Sequence, residues 1–104
     1  MIDYYDKNGT PMSLMEWCKV FEDKDYKRIA LYQGIFVDVS TVWLGLDHNF
    51  GGGLPIIFET MVFTKRFKEV DCRRYHTIEE AKQGHIKMVK QYRWRIDLLF
   101  RRIR

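Results

Sequence analysis

Apolar residues near the start of the chain recur at the three- and four-residue spacing of an amphipathic helix. The positions that share this face are Leu14, Trp17, Cys18 and Phe21. Ser13 and Glu16 add a capping box, in which the serine oxygen accepts from the glutamate backbone and the glutamate reaches back to the serine amide. The pattern therefore predicts a helix from Ser13 to about Glu22.

The segments that follow have the composition of β-strands. From Tyr26 to Leu46 β-branched and aromatic residues dominate, and Gln33-Gly34 interrupts them in a way that suits a tight hairpin. A second apolar strand is predicted from Ile56 to about Phe63. The polar stretch 65–71 is expected to form a loop or a sheet edge, and 73–76 a last short strand.

The last part of the chain has a long helical pattern. Thr77 and Glu80 form a second capping box before it. One apolar face then continues through Ile78, Ala81, His85, Met88, Tyr92, Ile96, Leu99 and Ile103. An unbroken helix of this length would measure about 40 Å, whereas a compact domain of this size has a radius of gyration of ~13 Å. We therefore expect the helix either to break near Gly84 or to project from the body.

These elements predict an α+β fold with an antiparallel sheet of about four strands, a short N-terminal helix and a long C-terminal helix. Runs of strands flanked by helices, without strict alternation, favour it over a parallel α/β sheet. The 104 residues are 46% hydrophobic and 31% charged, which suits one globular domain over 1–104 rather than a disordered chain. The part from about 86 to 104 is expected to be a basic helical extension.

The net charge of +4 conceals an uneven distribution. Residues 1–81 contain ten basic and thirteen acidic residues, whereas 82–104 contain eight basic residues and one acid. The basic patch predicted in the C-terminal helix comprises Lys87, Lys90, Arg93, Arg95, Arg101, Arg102 and Arg104. A polyanion would meet this segment first, so nucleic-acid binding is one alternative function. An ordinary solvated helix face is the competing interpretation.

The same segment carries an apolar stripe that a small body would not cover. Its members are Met88, Tyr92, Ile96, Leu99 and Ile103. Exposed apolar patches of this kind mark interfaces, and the symmetric dimer is the commonest oligomer. We therefore predict a homo-oligomer formed through the C-terminal helix.

The loop between the two apolar strands concentrates polar groups that could bind a ligand or partner. Its members are Asp47, His48, Asn49, Gly51, Gly52 and Gly53. Glu59 and His85 are expected to approach from the sheet and the helix. Glycine amides and an imidazole suit an anionic, nucleotide-like ligand, and His48 with Glu59 or His85 would suit a small metal-independent hydrolase. The competing interpretation is a hairpin loop whose Asp47 and His48 are satisfied at its root.

The sequence predicts no metal site and no cofactor. Cys18 and Cys72 fall in separate elements, and the three histidines lack the spacing of a metal site. No stretch is long and apolar enough to span a bilayer. Two cysteines are too few for a disulfide framework, which predicts a reduced, cytoplasmic protein. Without a recognised catalytic signature, a binding protein is favoured over an enzyme.

Several segments are similar to one known group of proteins. They are STVWLGLDH at 40–48, IFETMVF at 57–63, the region 74–85 and the opening 5–13. Together they resemble a family of small bacteriophage and prophage proteins of undefined activity. The likeness covers 3–85, and the basic segment beyond it departs from the family.

The resemblance implies a setting in an infected cell. Small phage proteins without enzyme motifs often bind host components, an analogy of setting rather than of mechanism. It implies a non-enzymatic accessory protein in the host cytoplasm, which binds a host protein or a nucleotide-like molecule and antagonises bacterial defence. Nucleic-acid binding through the basic helix and hydrolysis at the Asp47–His48 loop remain the alternatives.

Overall fold

A computed structural model describes residues 3–49 and 51–100. The elements in chain order are β1 Tyr4–Tyr5, β2 Pro11–Met12, α1 Leu14–Phe21, α2 Lys24–Lys27, β3 Arg28–Gln33, β4 Val37–Trp43, β5 Phe58–Thr64, β6 Glu69–Tyr75, α3 Ile78–Tyr92 and a 3-10 helix Ile96–Phe100. β1 and β2 form a small separate sheet. The predicted α+β fold, with a four-stranded antiparallel sheet, a short N-terminal helix and a longer C-terminal helix, is confirmed.

The main sheet has the order β3-β4-β5-β6, and each strand pairs antiparallel with the next in sequence. β4 and β5 are therefore central, and β3 and β6 are the edges. Alternate side chains of β4, beginning with Val37 and ending with Trp43, are fully buried. They face α3, because successive residues of a strand point to opposite faces.

Both capping boxes form as the sequence predicts, at Ser13 before α1 and at Thr77 before α3. The expected strand start at Tyr26 is wrong, because Asp23 caps the short helix α2 by accepting the backbone N–H groups of Asp25 and Tyr26. β5 begins two residues later than predicted, at Phe58. The predicted loop or edge 65–71 and the predicted short strand 73–76 overlap one element, because the edge strand β6 extends from Glu69 to Tyr75.

The long C-terminal helix neither breaks near Gly84 nor projects. α3 runs through Gly84 and ends at Tyr92, after which the chain turns back as a 3-10 helix. A Cβ at position 84 would overlap the ring of Tyr75, so the glycine lets this ring lie against α3. The turn returns Leu98, only 2% exposed, to the core beside Val37.

The core consists of two clusters on the α3 side of the sheet. One cluster joins the start of β4 to the second half of α3 and contains Val37, Val39, Val62, Met88, Tyr92 and Leu98. The other joins the end of β4 to the first half of α3 and contains Trp43, Ile57, Phe58 and Ala81. Residues of α1, including Trp17, pack against this second cluster.

Candidate binding groove

The loop after β4 is held together by its own polar groups. Asp47 Oδ1 accepts the backbone N–H groups of Asn49 at 2.7 Å and Ile56 at 3.0 Å, which ties the two ends of the loop. The Asn49 side chain donates to the carbonyl of Leu54 at 2.8 Å, and the Nδ1 atom of His48 lies 3.0 Å from the carbonyl of Leu46. These contacts support a structural role for Asp47 and Asn49.

The glycines of this loop serve its backbone conformation. Gly52 and Gly53 have φ angles of +88° and +89°, a region that other residues rarely adopt. The Gly52 N–H donates to the carbonyl of Asn49 at 3.3 Å. Gly51 is exposed beside them. The glycines are therefore explained by the turn itself, without a bound anion.

Glu59 and His85 do not join the loop in a single site. The Glu59 carboxylate accepts a hydrogen bond from Arg74 Nε at 3.0 Å. Glu59 alternates with Phe58 and Thr60, which face α3, so its side chain lies on the opposite face of the sheet. The sheet therefore separates Glu59 from His85. Among the described residues, no three His, Cys, Asp or Glu side chains are grouped so that they could hold a metal ion.

His85 instead ends a buried hydrogen-bonded chain between α3 and the two central strands. Its Nδ1 atom lies 2.7 Å from Thr41 Oγ1, which lies 2.5 Å from Thr60 Oγ1. Both threonines are fully buried, and His85 is 8% exposed. Burial lowers the pKa of His85, because desolvation disfavours the charged imidazolium. The imidazole is therefore expected to be neutral near pH 7.

The direction of this chain is linked to the tautomer of the imidazole. If Thr60 donates to Thr41 and Thr41 donates to Nδ1, the ring proton is on Nε2. If the chain runs the other way, Nε2 is an acceptor. Nε2 makes no hydrogen bond within residues 3–49 and 51–100. In either direction His85 presents one polar atom that a ligand could satisfy.

His85 lines a groove of about 290 Å³ between β3 and α3. The groove is bordered by Leu31, Tyr32, His85, Ile86, Val89, Lys90 and Arg93. Ile86 is 53% exposed, and Lys90 and Arg93 make no ion pair with any described carboxylate. Leu31 borders the groove at the strand edge, whereas its side chain, paired in register with Ser40, lies on the sheet face away from α3. The groove therefore combines an open apolar wall with unneutralised positive charge.

One side of the groove is a free sheet edge. The N–H of Gly34 donates to the carbonyl of Val37 at 2.9 Å, which sets the hydrogen-bonded register of the β3–β4 hairpin. Because hydrogen-bonded and non-hydrogen-bonded pairs alternate in an antiparallel ladder, the backbone N–H and carbonyl groups of Leu31 and Gln33 point away from β4. Neither residue has a backbone partner on that side within the described chain.

The two sheet edges differ in charge. The edge strand β6 carries four charged residues, namely Glu69, Asp71, Arg73 and Arg74. β3 carries one, Arg28, and the sequence has no further charge until Asp38. Charges protect edge strands from pairing with other chains. β6 is therefore protected, whereas the stretch from Ala30 to Gln33 is not.

The apolar stripe predicted as an oligomer interface is largely used inside the chain. Met88 is fully buried and Tyr92 is 7% exposed in the core, where the Tyr92 hydroxyl donates to Asp71 at 2.7 Å. These two side chains are therefore unavailable to a partner. Ile96 is exposed, Leu99 is half-buried, and Ile103 lies outside the described residues. The homo-oligomer itself stays a prediction.

The predicted basic patch is divided among several surfaces. Lys90 and Arg93 border the groove, whereas Lys87 borders a different groove together with Arg73. Arg95 donates two hydrogen bonds, both 2.8 Å, to the Asp97 carboxylate. The predicted members Arg101, Arg102 and Arg104 lie outside the described residues. The basic residues of α3 therefore border two different grooves.

Sequence reasoning missed Thr41, Thr60 and the edge of β3. Alternation along β4 and β5 would place the two threonines on the buried face, but their contact depends on the register Thr41–Thr60 between the strands. The edge could have been suspected from the uncharged run 29–37.

Within the described residues, no helix is long and apolar enough to cross a membrane. Comparisons of the chain with protein-family models, curated proteins and solved structures found no match.

Proposed function

We propose that this protein acts by binding another protein, and that β3 and the groove beside it form the binding surface. The observation that carries the proposal is the uncharged free edge from Ala30 to Gln33 next to an open apolar groove. Free edges of this kind pair with other chains unless something covers or repels them. The exposed side chain of Ile86 adds apolar area that a partner would remove from water.

The resemblance to bacteriophage proteins guides the choice of partner. We propose a host protein, with antagonism of a bacterial defence component as the biological outcome. A nucleotide-like ligand at the glycine loop has less support, because Asp47 and Asn49 use their polar atoms within the loop. Hydrolysis at the same loop has less support for the same reason, and because the sheet separates Glu59 from His85.

Site-specific photocrosslinking in bacterial cells tests the proposal. The photoreactive amino acid benzoylphenylalanine is placed at Ile86 in the groove or at Met15, an exposed helical position on α1 that is 73% accessible. A discrete protein adduct from position 86 that is absent from position 15 supports the proposal. Adducts with nucleic acid only, equal adducts from both positions, or no adduct from position 86 overturn it.

A matched pair of variants tests the alternative reaction. Purified wild type and His48→Ala are incubated with a panel of nucleotides. Turnover that is lost in the variant, while its unfolding curve is unchanged, would favour the hydrolase over the binding protein. We expect no turnover by either protein.

A further inference from the structure

We infer that the partner contributes an extended segment that adds to the free edge of β3 as a fifth strand, with an aliphatic side chain against Ile86 and carboxylates facing Lys90 and Arg93. This inference rests on the proposed function and specifies the chemistry of the partner. Strand addition is a recurring mode of peptide recognition, in which backbone hydrogen bonds give affinity and side-chain pockets give specificity.

The backbone of β3 sets the length of the added segment. Leu31 and Gln33 each direct one N–H and one carbonyl outward, so the edge offers four hydrogen bonds. The bulge between Arg28 and Ala30 ends the regular edge on one side, and the turn at Gly34 ends it on the other. A segment of about four to six residues, with a rise of ~3.3 Å each, would therefore fill the edge.

The side chains of α3 determine which residue types suit the face of the added strand that points towards α3. Ile86, Val89 and Arg93 recur at helical spacing along the groove. A strand paired with β3 directs alternate side chains towards α3. An aliphatic side chain there would cover Ile86, which is 53% exposed, and touch the half-buried Val89.

The positive charges of the groove favour acidic residues in the partner segment, next to the aliphatic side chain that covers Ile86. Lys90 and Arg93 border the groove, and none of the described residues that line it carries a carboxylate. The Arg93 guanidinium lies 5.6 Å from the ring centroid of Trp94, and its N–H groups make no ion pair within the described residues. Carboxylates of the partner would therefore complement a cationic rim.

The same cations disfavour a second copy of this chain as the occupant. Antiparallel pairing of β3 with β3 of another copy would bring the Lys90 and Arg93 side chains of both copies towards one interface. Like charges across an interface oppose association. An amphipathic helix in the groove is also disfavoured, because it would leave the outward backbone groups of Leu31 and Gln33 without strand partners.

A peptide selection with the intact protein tests this inference. A yeast-displayed library of random dodecapeptides is sorted for binding to the folded chain. We expect enrichment of segments in which aliphatic, β-branched residues alternate with aspartate or glutamate. Enrichment of basic sequences, of apolar residues at helical spacing, or of no sequence at all would overturn the inference.

The strongest enriched peptide is then synthesised with one backbone N-methyl group at each position in turn. In strand addition only every second peptide amide donates to the protein. Binding measured by fluorescence anisotropy should therefore weaken about tenfold or more at alternate positions and change little between them. A profile without this two-residue period overturns the inference.

Two charge reversals provide matched variants. Lys90→Glu should weaken binding of that peptide about tenfold, because an attraction becomes a repulsion. Lys19→Glu, at an exposed position on α1, should leave the affinity within about twofold. Equal effects of the two variants overturn the inference. A position-86 adduct combined with failure of the N-methyl profile would reject strand addition while leaving the proposed function intact.

Discussion

Thr41 is the centre of the buried chain that joins the two central strands to α3, so its removal isolates both neighbours. Thr41→Val keeps the branched shape of the side chain but removes the hydroxyl that contacts Thr60 and His85. Neither neighbour has another side-chain hydrogen bond within the described residues. The substitution therefore leaves two polar groups unpaired at a site without ready access to water.

The expected loss of unfolding free energy depends on how many buried polar groups each substitution leaves without a hydrogen-bond partner. A buried polar group without a partner costs about 1–3 kcal/mol, so Thr41→Val should lower the free energy of unfolding by roughly 2–5 kcal/mol. Thr60→Val removes one hydrogen bond and leaves the Thr41–His85 contact, at a cost of about 1 kcal/mol. A triple variant that combines Thr41→Val, Thr60→Val and His85→Leu removes all three polar groups. Its free energy of unfolding should lie within ~1.5 kcal/mol of the wild-type value.

Urea unfolding followed by circular dichroism measures these differences. The triple variant should be more stable than Thr41→Val alone, although it carries two further substitutions. If the losses of unfolding free energy instead add, the triple variant will be the least stable. In that case each of the three residues contributes through its own packing, independently of the other two. That result would refute the reasoning from unpaired polar atoms.

The same measurements repeated at lower pH follow the charge on His85. Because burial lowers the pKa of His85, the unfolded chain binds this proton more readily than the folded chain. Its contribution to stability is therefore complete above the pKa of an unfolded histidine, about 6.5, and is lost as the pH falls below it. The free energy of unfolding should fall more steeply in wild type than in the triple variant, by at most ~1.4 kcal/mol per pH unit. Parallel curves would contradict this assignment.

Two further predictions concern the core and the cysteines. Trp43 is fully buried and its indole donates to the carbonyl of Tyr5, so Trp43→Ala should cost about 3–5 kcal/mol. Trp94 is 68% exposed, so Trp94→Ala should stay within ~0.5 kcal/mol in the same urea series; equal losses would contradict the assignment. Burial, with the charge of Glu59, raises the pKa of Cys72 to about 11. Iodoacetamide near pH 8 should therefore label the exposed Cys18 first in peptide mapping, and faster labelling of Cys72 would contradict it.

The sequence predicted best those features that depend on residues close together in the chain, such as the starts of α1 and α3. Ser13 and Glu16 form their capping box within one helical turn, and so do Thr77 and Glu80. The end of α3 has no such local signal, since neither glycine nor proline follows Tyr92. The chain turns there and Leu98 packs in the core, a contact between residues distant in sequence.

The candidate site was harder to predict than the fold for a related reason. Asp47 and its glycines look like a ligand loop in sequence, because ligand loops and self-bonded turns use the same residue types. Only the structure shows that Asp47 accepts two backbone N–H groups of its own loop. The importance of Leu31 depends on which strand lies at the sheet edge and on which backbone groups point outward, and both depend on pairing.

The order of elements along the chain has a consequence for its synthesis. All four strands of the sheet precede α3 and the 3-10 helix, which supply Met88 and Leu98 to the core. A nascent chain that has emerged only as far as β6 would therefore expose the apolar face formed by Val37, Val39 and Val62. Such surfaces make incomplete chains prone to aggregation. The domain can complete its fold only when Leu98 has left the ribosome, so premature termination within α3 is expected to yield insoluble product rather than a smaller working domain.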